Sequence, residues 1–184
     1  MRDFLLDTQT VRYWYDNECP QNRIILANIG SLQKQIELSE HKPRLLISVI
    51  TLGEIEFGHR VALSPDPDKQ AEYLRFVWEQ LPERLDVTQD ATAAFGELRK
   101  RLFDRYAPGE KRKPKMRPEQ LIDPITSKEL GIQENDLWLC AQAIGHDMVL
   151  VTNDGMRRIR EVSQGMQPLL LLQNWTIPNT ANVE

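Results

Sequence analysis

Cysteine is nearly absent. Cys19 and Cys140 stand 121 positions apart, with no C-x-x-C or Cys/His spacing, which excludes a disulfide framework and a structural zinc site. Histidine is scarce as well, and His41, His59 and His146 are not spaced as a metal-binding pair. The apolar stretch Leu45 to Gly53 falls far short of the roughly 20 residues a bilayer span needs. Met1-Arg2-Asp3 leads into an apolar run too short for a signal peptide, so a cytoplasmic location without membrane contact is expected. Glycines are missing after the first strand-like run, which leaves no cradle for a nucleotide pyrophosphate. Ser48 has no nucleophile-elbow glycines around it, and Gln9 stands where a phosphoryl-accepting aspartate would need a second Asp. Internal repeats of 20 to 50 residues are absent too.

What is present is an ordinary globular composition, 41% hydrophobic and 27% charged over 184 residues. That length suits one domain spanning 1–184 with a core of its own. The net charge of −4 argues against a chain coated in nucleic acid, but it is unevenly spread. Between Arg99 and Arg117 nine bases face two acids, a local +7 on a body of −11. This segment reads either as a solvated loop or as a phosphate-contacting arm, with Lys111, Arg112, Lys113, Lys115 and Arg117 as its candidate RNA contacts.

Short apolar runs alternate with stretches of helical spacing. Phe4-Leu5-Leu6, Leu45 to Ile50, Met148 to Val151 and Leu169 to Leu172 read as buried strands, with a weaker one at Leu85-Asp86-Val87. Ile25, Ile29, Leu32 and Ile36, then Ala94, Leu98 and Leu102, then Leu137, Ala141 and Ile144 recur at helical intervals. The alternation predicts an α/β fold: a doubly wound, mainly parallel sheet of about five strands with helices on both faces. Pro20 is expected to stop the first helix, Ser64-Pro65-Asp66-Pro67-Asp68 to separate two others, and Pro82 to end the next. Residues 107–133 lack a steady period and read as one long basic loop. Trp14, Trp78, Trp138 and Trp175 sit among apolar neighbours and read as core or interface residues.

In open parallel sheets the functional crevice lies beyond the carboxyl ends of the strands, where strand order reverses. Asp7 follows the first strand, and Asp154 follows Val149-Leu150-Val151 with Thr152 and Asn153 beside it. Glu54 is expected in the first turn of the helix after the second strand, among Ile50, Leu52, Ile55 and Phe57, most of which read as buried. Asp136 is expected in the first turn of the helix before the fourth strand. Singly, each acid has an ordinary role, as a helix cap or a solvated helix position. Together, carboxylates so gathered repel by about 4 kcal/mol per pair at 4 Å and intermediate dielectric, so they need a cation or raised pKa values. An all-oxygen set suits Mg²⁺ or Mn²⁺, the usual equipment for phosphodiester hydrolysis.

Leu5-Leu6-Asp7-Thr8, Thr51-Leu52-Gly53-Glu54-Ile55-Glu56-Phe57-Gly58, Glu134-Asn135-Asp136 and Leu150-Val151-Thr152-Asn153-Asp154 follow one another in a familiar order and spacing. In this the chain resembles PIN-domain nucleases, closest to their VapC-like toxin group, over nearly its whole length. The resemblance implies a PIN-like fold and a Mg²⁺- or Mn²⁺-dependent endoribonuclease. Asp7 and Asp136 would be direct ligands, Glu54 would orient the attacking water, and Asp154 would complete the pocket. Thr8, Thr152 and Asn153 would be supporting polar groups. It further implies a homodimer and a small antitoxin whose tail enters the acidic crevice. The bulky Leu137-Trp138-Leu139 and the long basic loop depart from that family's usual pattern. The alternative is a catalytically silent PIN-like module that binds RNA or a protein; the repulsion of phosphate by a metal-free acidic crevice weighs against it.

Overall fold

Leu5, Leu6, Ile47 and Leu150 lose essentially all contact with water, because the strands that carry them lie side by side at the middle of a sheet. Burying each such side chain contributes about 1.5–3 kcal/mol. The computed structural model describes residues 2–38, 42–109 and 116–178. Its five strands are β1 (Phe4–Leu6), β2 (Leu45–Ser48), β3 (Arg84–Leu85), β4 (Val149–Val151) and β5 (Leu171–Gln173), in the order β3-β2-β1-β4-β5. The sheet is parallel, with Leu5 opposite Leu46 on one side and Leu150 on the other. Strand order therefore reverses between β1 and β4.

The helices are α1 (Thr8–Tyr15), α2 (Asn22–Leu38), α3 (Val49–Arg60), α4 (Pro67–Gln80), α5 (Gln89–Tyr106), α6 (Glu134–Gly145) and α7 (Arg157–Ser163). Their starts are set by side-chain caps. Asp7, Ser48, Asp66 and Thr88 each accept a hydrogen bond from a backbone N–H in the first turn of α1, α3, α4 and α5, and Pro67 fits the first turn of α4. Among the described residues, no helix is long and apolar enough to cross a membrane.

The chain divides into two compact units. The first, residues 1–86, 149–154 and 172–184, holds the sheet and α1 to α4. Within it α1 packs on α2, α3 and α4, and aromatic contacts tie α1 to α4: Trp14 meets Phe76 edge-on at 5.4 Å, and Tyr15 lies 4.7 Å from Tyr73. The second, residues 87–148 and 155–171, holds α5, α6 and α7. Its axis is the packing of α5 on α6, where Phe95 stacks on Trp138 at 3.8 Å.

Some elements differ from the sequence expectation. The second strand stops at Ser48, whose hydroxyl accepts from the Ile50 N–H, so Val49 and Ile50 are helical. Asp16, not Pro20, ends the first helix, four residues earlier. Residues 107–133 are not one irregular loop. Pro118–Gln120 form a 3-10 turn, Ile122 bridges Glu129 in antiparallel fashion, and Leu121, Asp123 and Ile132 are buried. Asp123 organises this segment, its carboxylate accepting from the N–H groups of Ile125 and Thr126. Of the tryptophans, Trp14 and Trp175 are buried, whereas Trp78 is exposed with the Arg84 guanidinium 3.3 Å over its ring.

Candidate functional site

Asp7 sits where β1 hands over to α1, and its side chain has two duties. Oδ1 accepts from the Thr10 N–H at 2.6 Å, an N-cap that satisfies an orphan donor of α1. The same carboxylate is only 8% exposed and lies at the carboxyl edge of the strand pair around which the sheet order reverses. Burial pushes its pKa above the usual 3.8; hydrogen bonds from Thr10 and Thr152 oppose that, and the charge of Glu54 adds to it. Asp7 is thus a desolvated carboxylate with another acid nearby.

Three threonines build the frame around it. The Thr10 hydroxyl donates to the Val151 carbonyl at 3.1 Å, pinning α1 to the end of β4. The Asp7 N–H donates to the same carbonyl at 3.1 Å. Thr152, buried just past β4, accepts from the Asp154 N–H at 3.0 Å and closes the turn that holds Asn153 and Asp154 at the surface. Thr8, the first residue of α1, donates its hydroxyl to a carboxylate oxygen of Glu54.

Glu54 lies in the second turn of α3, not the first, because the Ser48 cap starts that helix at Val49. Its neighbours are also less buried than expected. Ile55 faces the core, Ile50 and Leu52 are half-buried, and Phe57 is 65% exposed. Asp7, Thr8, Glu54, Thr152, Asn153 and Asp154 all belong to the first unit, and the first four are linked by the interactions just described. Asp136 is the third residue of α6, in the second unit, and sits half-buried in the first turn of its helix, as expected. Among the described residues, no three His, Cys, Asp or Glu side chains gather closely enough to form a metal cage.

Lys111, Arg112, Lys113 and Lys115 lie outside the described residues. Arg117 is exposed and begins the 3-10 turn, its N–H donating to the Gln120 side chain at 2.8 Å. The remaining bases of the positive run are helical: Arg99, Lys100, Arg101 and Arg105 ride on α5 and pair with Glu134, Asp104, Glu97 and Glu161. The residue that sequence reasoning missed is Thr10, which holds both Asp7 and β4. Its signal was present as an Asp followed three residues later by a Thr, an N-cap spacing in which a second polar group can share the turn.

No protein-family model matches the chain, and no curated protein matches it. Solved structures do. A chain of VapBC2 from Rickettsia felis bound to a promoter DNA fragment is 24% identical, with a TM-score of 0.62 over 94% of this chain and 98% of the other. DNA-bound VapBC from Salmonella typhimurium is 20% identical with a TM-score of 0.59, covering 95% and 99%. VapBC-1 from nontypeable Haemophilus influenzae is 19% identical with a TM-score of 0.59, covering 95% and 98%. The likeness extends over nearly the whole chain and gives it the PIN-like fold of those toxin–antitoxin proteins.

Proposed function

We propose that the chain is a divalent-metal-dependent endoribonuclease, the toxin of a toxin–antitoxin pair. The observation that carries this reading is Asp7, a buried carboxylate at the strand-order reversal with Glu54 close by. A desolvated acid beside a second acid suits a cation, and oxygen donors alone suit Mg²⁺ or Mn²⁺. Asp7, Glu54 and Asp154 would hold that ion; Asp136, in the first turn of α6, is the fourth acid of the proposal. When bound, such an ion supplies positive charge to the reacting phosphate and acidifies a water.

The chain's own residues do the rest. Thr10 and Thr152 fix the Asp7 carboxylate by hydrogen bonds, and Thr8 fixes Glu54, so both acids are held before substrate arrives. Glu54, held by the Thr8 hydroxyl, would orient the attacking water. Asn153 and Asp154 line the rim at the surface turn. The toxin role rests on the fold shared with VapBC proteins, which supports a cognate antitoxin as partner. A homodimer is part of the same proposal.

One observation favours a second reading, a silent RNA- or protein-binding module. Asp7 serves as a helix cap in any case, and the described acids do not gather as a three-acid group. Purified protein incubated with a mixed RNA pool decides between them. Cleavage that needs Mg²⁺ or Mn²⁺, stops in EDTA and is lost in Asp7→Asn and Asp136→Asn supports the nuclease. Intact RNA at high protein concentration, with metal present and the fold preserved, supports the module.

A further inference from the structure

Among the described residues of the second unit, the surplus of positive charge lies around α7 rather than on α5. On α5, Arg99, Lys100 and Arg101 each face a carboxylate, at 3.3, 2.8 and 2.6 Å. Around α7 the ratio reverses. Arg105, Arg157 and Arg158 converge on Glu161 at 3.5, 3.3 and 3.2 Å, and that carboxylate also accepts from the Tyr106 hydroxyl at 3.0 Å. Arg158 reaches Asp123 as well, while Arg160 pairs with no carboxylate among the described residues. Three guanidinium groups therefore share two carboxylates, and a fourth, Arg160, adds its charge to them.

Beside this surplus lies an open cavity of about 540 Å³, walled by Arg157, Arg160, Glu161 and Gln164 on α7 and its C-cap, and by Gly155 and Leu169; the Glu161 carboxylate in that wall is the one already held by arginines and Tyr106. Its size is that of a ligand cleft. Arg157 is 81% exposed, so its guanidinium can turn towards a ligand without leaving a buried position. Arg157, Arg160 and Gln164 follow the helical i, i+3, i+7 rule and form a row of donors along one stripe. A row suits a strand of repeating anions, whereas a free phosphate asks for donors that converge. Guanidinium forks match two phosphate oxygens at once.

We propose that this α7 cavity is a groove for the phosphodiester backbone of an RNA strand, gripped by Arg157 and Arg160. The proposal rests on the ribonuclease reading and assigns substrate contacts to a helix distinct from the basic run at 99–117.

The test is fluorescence anisotropy of a labelled single-stranded RNA with the full-length protein in EDTA, where no cleavage occurs, over a series of salt concentrations. The double variant Arg157→Gln/Arg160→Gln is expected to bind more weakly to all sequences alike. Its plot of log affinity against log salt should be shallower by about 1.4, two contacts at about 0.7 each for a single strand. Arg160→Lys, which keeps the charge, should keep most of the slope. An unchanged slope in the double variant, with a native circular dichroism spectrum, overturns the groove. So does a loss of binding confined to a labelled polyglutamate of equal length, which would make an acidic protein the ligand. Asp7→Asn separates the two readings, since it should bind RNA as the wild type does while failing to cut it. A slope change in the double variant together with a wild type that never cuts RNA would leave the groove standing and remove the nuclease.

Discussion

At the scale of single residues, Asp7 is where folding and chemistry meet. Its carboxylate caps α1 and is also the most desolvated acid of the candidate site. Asn caps as well as Asp, so Asp7→Asn should fold normally, while Asp7→Ala should lose about 1 kcal/mol to the missing cap. Equilibrium urea unfolding measures both. The two variants should also differ from wild type in pH response. Because the folded state raises the Asp7 pKa above 3.8, it favours the protonated form. The resulting stability is fully present below 3.8 and is lost as pH rises through the raised value. In EDTA, a wild-type protein whose stability does not decline over that range relative to Asp7→Asn would contradict the desolvated carboxylate described above.

At the scale of elements, packing and capping are the arguments. Gly145 ends α6 against the start of α5, and a Cβ there would stand 2.8 Å from the Ala91 nitrogen and 2.9 Å from the Asp90 carbonyl carbon. Backbone cannot yield as a flexible side chain would, so Gly145→Ala should destabilise the protein by about 1–3 kcal/mol, seen as a lower urea midpoint. The turn at Asp123 makes a different prediction. The N–H groups of Ile125 and Thr126, with help from Arg158, hold the Asp123 pKa below 3.8, so its contribution is present above that pH and lost as pH falls beneath it. Hydrogen exchange at the Ile125 and Thr126 amides should be faster in Asp123→Ala than in wild type at neutral pH, and the difference should shrink in acid. These elements were unequally legible in the sequence. Apolar runs announced β1, β2 and β4, and the spacing of Ala94, Leu98 and Leu102 announced α5, because burial imposes a period; β3 keeps only Leu85 of the expected Leu85-Asp86-Val87, and β5 is half-buried to exposed and begins at Leu171. The turn at residues 116–133 left no period, since it is built from one carboxylate and a few buried side chains.

At the scale of the whole molecule, the sheet is assembled from distant parts of the chain. β1 is flanked by β2 and β4, and the unit that contains them draws on residues 1–86, 149–154 and 172–184. A fragment ending at residue 86 would keep β2 but expose the other edge of β1, where Leu5 and Leu6 are now buried. Such a fragment should show no native sheet signal by circular dichroism and should aggregate. A folded, soluble fragment would mean that β4 matters less to β1 than its register implies. The same arrangement marks the limit of what the sequence offered for the candidate site. Asp7, Glu54 and Asp154 could be picked out by their places after strands, and Thr8 and Thr152 by standing beside them, but the bond by which Thr10 ties α1 to the Val151 carbonyl could not, because it spans a chain separation that no local pattern records. The pairing of Leu5 with Leu150 also puts a clock on the molecule. At about 5–20 residues per second, the ribosome needs roughly seven to thirty seconds after releasing Asp7 to deliver Thr152. Until then the carboxylate stands in water, at its ordinary acidity, and the nascent chain carries the letters of the site without its environment.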